Sequence, residues 1–405
     1  MTQDSALEIL KSGKNVFLTG EPGSGKTHTI NRFVEWLKAN RKGYAITAST
    51  GIAATHIGGV TIHSWSGLGI ASKVSDYLLD KLYNDTFAQR RIQSPDVLVI
   101  DEVSMLDATF IDNLDIIMRH MRGDRSFGGI QIVFVGDFFQ LPPVVKEGIM
   151  RFAFESDSWK EADPTICYLT EQHRQSDPEF LDILTSMRAG TTTKAHKKRL
   201  DVCTRAERPE TRLFTHNKDV DHINNRELRR LKGEEHLYRM EESGIPFLVS
   251  RLKGSCLAPE KLVLKVGASV MFVRNNFDIG YVNGTVGVVE SFDEDGLPVV
   301  LTKDGRRITP VLEEWRFDEY GTTRAYIRQV PIRLAWAITV HKSQGMSLDA
   351  ASVDLSRAFE HGQGYVALSR VRSLEGLHLE GINEKSFSMH PKVVAKDAEF
   401  RAAGV

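Results

Sequence analysis

Cysteine is scarce in this 405-residue chain: there are three, Cys167, Cys203 and Cys256, far apart from one another. An odd, scattered set supports neither a disulfide framework nor a zinc cluster, and implies a reducing, intracellular setting. Long apolar runs are missing too. The longest, such as Ile130 to Val135, fall well short of the roughly 20 residues that a membrane-spanning helix needs. The opening residues, Met1-Thr2-Gln3-Asp4, lack the basic stretch and apolar stretch of a secretion signal. The expectation is a cytoplasmic protein with no membrane partner. An excess of charge of one sign is also absent, since the net charge is only −1, so any site for a polyanion must come from local clustering. The best cluster is Arg188, Lys194, Lys197, Lys198 and Arg199, continuing to Arg205, Arg208 and Arg212. It reads equally as a solvated basic face or as a phosphate-tracking surface. Repeats and low-complexity tracts do not occur.

What is present is ample material for cores, 41% apolar residues, in a chain longer than one core usually supports, so two or more domains are expected. In the first third, short apolar runs (Val16 to Leu18, Tyr44 to Thr47, Val97 to Ile100, Ile130 to Val135) alternate with helix-like stretches. That pattern implies a parallel sheet with crossover helices. Ile30, Phe33, Val34 and Leu37 fall at helical spacing directly after Lys26 and Thr27. Strand and helix signals resume at Arg212 to Phe214 with Val220, Ile223 and Leu228, and return at Ile332 to Leu334 and Val353 to Leu355, predicting a second α/β domain. Between them, about residues 244–330, β-branched runs are punctuated by Asn283-Gly284, Asp295-Gly296 and Asp304-Gly305, which are hairpin signals. This stretch reads as a small barrel inserted in the second domain. A shorter irregular stretch, 58–93, reads as a smaller insertion in the first.

Gly20-Glu21-Pro22-Gly23-Ser24-Gly25-Lys26-Thr27 matches the P-loop pattern, with its strand before and helix after. Glycines let backbone N–H groups cradle phosphates, Lys26 reaches the β- and γ-phosphates, and Thr27 binds magnesium. Leu98-Val99-Ile100-Asp101-Glu102 is an apolar strand ending in two carboxylates: Asp101 suits magnesium, and Glu102 suits polarising an attacking water. A small-molecule kinase needs no such second carboxylate, so hydrolysis is favoured. Phe127-Gly128-Gly129-Ile130-Gln131 leads into a strand ending Val135-Gly136-Asp137-Phe138-Phe139-Gln140-Leu141-Pro142-Pro143-Val144. Gln140 can sense the γ-phosphate or its water, and the aromatics, Phe139 among them, can face a base. A strand stopped by proline, with core phenylalanines, explains the same residues.

These stretches resemble the motifs of superfamily 1B helicases, above all the PIF helicase family, whose signature resembles Phe127 to Val144. The resemblance extends in the family's order over Ala48 to Ala54, Thr61 to Ser64, Glu171 to Arg174, Ala335 to Gly345 and Tyr365 to Arg370. It implies an α/β fold of two tandem RecA-like P-loop domains with parallel sheets, a small wedge insertion in the first and an SH3-like β-barrel insertion in the second. The boundaries expected are 1–165 for the first domain with its wedge at 58–93, 166–243 and 331–405 for the two parts of the second, and 244–330 for the barrel. Carried over residue by residue, the pattern assigns nucleotide contact to Gly23, Ser24, Gly25, Lys26, Thr27, His28 and Gly345, and adenine recognition to Gln3. It makes Arg174 and Arg370 cationic fingers from the second domain. Thr50, Gly51, His63, His341, Lys342 and Ser343 become contacts to the DNA backbone. The loop from Trp65 to Ile70 resembles the strand-separating wedge, although Trp65 is as readily a core residue.

The activity implied is that of an ATP- and magnesium-dependent 5′-to-3′ DNA helicase and translocase, compact and bacterial in type. It would act on single-stranded, forked or 5′-tailed DNA at the nucleoid, in replication, repair, recombination or telomere maintenance. A monomer is expected without DNA. An RNA or RNA–DNA hybrid helicase or a non-unwinding translocase remains open. A P-loop kinase leaves Gln140, Arg174, Gln344 and Arg370 without roles, and a binding module with an inactive ATP site does not need Lys26, Asp101 and Glu102 intact.

Overall fold

The computed structural model describes residues 1–404 apart from 69–72, 144–148, 172–176, 204–208, 210, 216, 277, 282, 303, 320–321, 341–342 and 345–346. The apolar runs of the first third become strands of a six-stranded sheet ordered Val60–Thr61, Tyr44–Ala48, Val97–Asp101, Gln131–Val135, Val16–Gly20, Thr165–Leu169, every pairing parallel. Alternate side chains serve opposite faces, as the pleat requires. Val16, Leu18, Val97, Val99, Val133 and Val135 share one core with Leu7 and Leu10 of the helix Gln3–Lys11 and with Ile30, Phe33 and Leu37 of the helix Lys26–Ala39. Their neighbours Phe17, Leu98, Ile100, Ile132 and Phe134 enter a larger core on the other face, with the helix Ala108–Arg122 and Trp159.

A second parallel sheet, of four strands, runs Ala337–Thr339, Arg212–Phe214, Ala351–Leu355, Leu377–Ile382. The stretch between them is antiparallel. Five strands are ordered Arg307–Ile308, Pro298–Thr302, Val286–Phe292, Ser269–Phe272, Ile332–Leu334, around a core of their own that includes Val270, Phe272, Val289 and Val300. Gly296 and Gly305, at φ +75° and +81°, turn two of these hairpins. Three more strands, Glu313–Glu319, Thr322–Gln329 and Glu241–Gly244, form an adjoining sheet.

Two expectations are corrected here. Ile332–Leu334 is not part of the second parallel sheet: it pairs antiparallel with Ser269–Phe272, because Ile332 completes the antiparallel core. The last helix, Pro391–Ala403, packs on the first lobe rather than the second. Phe400 lies in ring contact with Phe17, Phe138 and Phe154, and Asp397 accepts from the Tyr168 hydroxyl at 3.1 Å. Burying Phe400 decides its place. No helix among the described residues is long and apolar enough to cross a membrane.

Candidate active site

The strand Val16–Gly20 delivers the chain into a loop whose glycines take backbone angles that side chains resist, with φ +89° at Gly23 and +87° at Gly25. Gly25 is the N-cap of the helix Lys26–Ala39 and offers no side-chain cap, and a helix N-terminus of this kind suits an anion. Lys26 Nζ donates to the carbonyls of Gly20 at 2.9 Å and Glu21 at 3.0 Å, which folds the amine back across the loop that phosphate oxygens would enter. Ser24 Oγ is buried with no partner among the described residues. Gln3 is anchored beside them. Its helix starts on the Thr2 cap, the Met1 ammonium donates to Tyr168 O at 2.8 Å, and the Gln3 amide donates to Ser24 O at 3.3 Å. A Cβ on Gly25 would fall 2.1 Å from Gln3 Nε2, so glycine is needed for that approach.

Burial, with the charge of Glu102 added, pushes Asp101 up to about 7, against the opposing pull of the Glu102 N–H and Lys26. That N–H donates to Asp101 Oδ1 at 2.8 Å. Glu102 itself sits at φ 51°, ψ 42°, a left-handed conformation costing an L residue roughly 1 kcal/mol or more. Two adjacent carboxylates, Asp101 buried and Glu102 beside it, are hard oxygen donors of the kind that fit a magnesium ion.

Past the strand Gln131–Val135, Gln140 is 6% exposed and its Oε1 has no partner among the described residues. The second lobe meets this loop at Gly362, φ +78°, where a Cβ would come within 2.5 Å of Phe139 O. From Gly362 runs the helix Gln363–Leu368, and just beyond it lies Arg370, fully buried. Arg370 Nε donates to Val366 O and its NH2 to Ser369 Oγ, both at 2.9 Å. Burial lowers its pKa, and the charge of Glu102 is the foremost counterweight. The charges of Arg370, from the second lobe, and Glu102, from the first, thus lie near enough to influence one another.

Thr50 follows the strand Tyr44–Ala48 and Gly51 begins the helix Gly51–His56. Gly51 borders a cleft of about 700 Å³ that Arg274, Arg316 and Arg328 line from the antiparallel sheets. His63 is half-buried, its ring 4.4 Å from that of Phe110, and burial lowers its pKa against the pull of Asp107. His28 is exposed on the first turn after the loop. Arg174, His341, Lys342 and Gly345 lie outside the described residues.

Three expected nucleic-acid contacts have their side chains turned inward in this structure. Trp65, 4% exposed, belongs to the large core. Phe139 is buried under the Arg188 guanidinium, 4.1 Å from its ring centre. Ser343 is buried and donates to Val340 O at 2.8 Å. In each case the side chain gains more from packing or an internal hydrogen bond than a solvent-facing position would give. Within the basic cluster, Arg199 pairs with Glu179 and Asp182, Lys197 with Glu384, and Arg188 is buried, while Arg205 and Arg208 lie outside the described residues. Sequence reasoning missed Arg188 as an internal residue, yet a signal existed. Arg188 follows Phe180, Ile183, Leu184 and Met187 at helical spacing, on the apolar stripe of the helix Pro178–Ala189.

Residues 3–198 match the family model described as PIF1-like helicase, and residues 247–292 that of the DNA helicase Pif1, 2B domain. The ATP-dependent DNA helicase Pif1 of Psychrobacter sp. is 42% identical over 99% of this chain and 71% of its own length. The chain belongs to the PIF1-like helicase family. The ATP-dependent DNA helicase PIF1 of Xenopus laevis is 41% identical over 97% of the chain, which spans 63% of that relative's length. Among solved structures, Pif1 helicase from Candida albicans aligns with a TM-score of 0.80 at 36% identity, covering 98% of each chain. Bacteroides sp. Pif1 in complex with ADP-AlF4 aligns at 0.86 and 29% identity, covering 99% of this chain and 97% of that one. Bacteroides Pif1 bound to ssDNA aligns at 0.63 and 30% identity, over 99% and 96%.

Proposed function

We propose that this PIF1-family chain hydrolyses ATP between two RecA-like lobes and uses the cycle to move 5′ to 3′ along single-stranded DNA, separating duplex ahead of it in replication, repair or recombination. What carries the reading is the meeting of the two lobes at the loop after the strand Gln131–Val135: Gly362, on the second lobe, lies against the Phe139 and Gln140 carbonyls of the first, at the start of the helix that leads to the buried Arg370. A site split between two bodies binds the phosphates fully only when the bodies close, so nucleotide state and lobe separation are linked.

In this reading Gly23, Ser24, Gly25, Lys26, Thr27, His28 and Gly345 cradle the phosphates, and Gln3 reads the adenine. Thr27 and Asp101 hold magnesium, which when bound offsets charge on the phosphate oxygens. Glu102 orients and deprotonates the attacking water. Gln140, its Oε1 awaiting a partner, contacts that water or the γ-phosphate. Arg174 and Arg370 stabilise the negative charge that spreads over the transferring group, an effect worth on the order of 10³ to 10⁵ in rate. Thr50, Gly51, His63, His341 and Lys342 hold the strand's backbone, residues 244–330 form an SH3-like clamp and residues 58–93 the wedge. Residues 1–169 with 391–404 make the first lobe, and 177–243 with 335–390 the second, the strand Ile332–Leu334 going with the antiparallel part. The protein works as a monomer until it meets DNA.

Strand displacement on tailed duplexes with ATP, alongside phosphate release with and without single-stranded DNA, tests this. DNA-stimulated release and unwinding of the 5′-tailed substrate alone are expected. Release indifferent to DNA, or unwinding of only the 3′-tailed substrate, would sink it.

A further inference from the structure

We infer that Arg188 is a positioning residue that ties the γ-phosphate-facing loop at Asp137–Gln140 to the helix leading into Arg370, so that hydrolysis at one is matched to lobe closure at the other. This rests on the reading of the cleft as an ATPase site. Asp137 is fully buried, three residues before Gln140 on the first lobe. Arg188 comes from the second lobe, on the helix Pro178–Ala189, and is buried as well. Its NH1 donates to both Asp137 oxygens at 2.8 Å and to the Tyr365 hydroxyl at 3.2 Å. Its NH2 donates to the Tyr168 hydroxyl at 2.9 Å and to Asp397 Oδ1 at 3.3 Å. The flat face of the guanidinium covers Phe139.

One side chain therefore holds four elements: the Asp137 loop, the strand Thr165–Leu169 through Tyr168, the helix Gln363–Leu368 through Tyr365, and the last helix through Asp397. Two of these bracket the candidate chemistry. Asp137 and Phe139 fix the loop whose next residue is Gln140, while Tyr365 lies one helical turn before Ser369 and Arg370. A planar fork with several donors can make this bridge, whereas a lysine ammonium is a single point charge that satisfies Asp137 and releases the rest. A buried ion pair alone would not need so many partners for stability, since isosteric apolar packing often does as well. The arrangement suits a part with two discrete settings, one for each lobe spacing.

The difference between arginine and lysine gives the test. Arg188→Lys keeps a charge for Asp137 but loses the bridge, and Arg188→Met loses both. ATP hydrolysis with saturating single-stranded DNA, ATP KM and thermal unfolding are measured on each, with Lys26→Ala as the reference for a dead nucleotide site. For Arg188→Lys we expect a melting temperature close to that of the unsubstituted protein, an ATP KM within about twofold, and a DNA-stimulated kcat lowered about tenfold or more. Unwinding per ATP consumed falls further. A full kcat in Arg188→Lys overturns the inference, as does a loss that merely follows the unfolded fraction in both variants. If the unsubstituted protein and Lys26→Ala hydrolyse ATP alike, the ATPase reading itself has failed, a separate result.

Discussion

At the residue scale the candidate chemistry is concentrated on Glu102, a non-glycine residue held in the left-handed region. Strain of this kind survives only where the surroundings impose it, here through the Asp101 carboxylate on its N–H and the turn that Met105 N makes onto its carbonyl at 3.1 Å. Glu102→Gln keeps size and backbone and removes only the base. Its kcat should fall about a hundredfold or more, with ATP binding retained or tightened because the like charge beside Asp101 is gone. Equilibrium binding of a fluorescent ATP analogue beside phosphate release checks this, and unchanged kcat would remove Glu102 from its role. Residues of this sort were legible in the sequence because backbone rules fix them: a P-loop needs its glycines, and a carboxylate pair must end an apolar strand. Trp65, Phe139 and Ser343 were not, since periodicity says that a side chain is apolar or small but not which neighbour covers it. Arg188 was hidden by its charge, which drew it into a surface cluster although its helical spacing pointed inward.

At the scale of elements, strands and hairpins followed from local chemistry, as at Asp295-Gly296, where Gly296 supplies the positive φ that the turn demands. The partner of an element is a non-local matter. Ile332–Leu334 has the composition of either sheet, and the helix Pro391–Ala403 carries no mark in sequence that it returns to the first lobe. The contact that draws it there is the phenylalanine cluster around Phe400. Phe400→Ala should cost about 3 to 5 kcal/mol in denaturant unfolding. A loss below about 1 kcal/mol would mean that the cluster does not hold the helix.

For the whole molecule, a chain of net charge −1 must gather DNA by a local cleft rather than by its overall field. The structure aligns better with the ADP-AlF4 complex and the unliganded form of Bacteroides Pif1 than with its ssDNA complex. Adding a single-stranded oligonucleotide should therefore change the small-angle scattering profile by more than the oligonucleotide's own mass explains. A curve that fits the present arrangement plus bound DNA would show that no rearrangement is needed. The return of the last helix has a mechanical meaning as well. Met1 and Asp397 are both fastened to Tyr168, on the outermost strand of the first sheet, so the second lobe is a loop of chain strung between two anchors on the same strand. Tension applied between the two terminal helices bypasses the second lobe until one of them is sheared from that strand. Only then does load reach the surfaces that open and close.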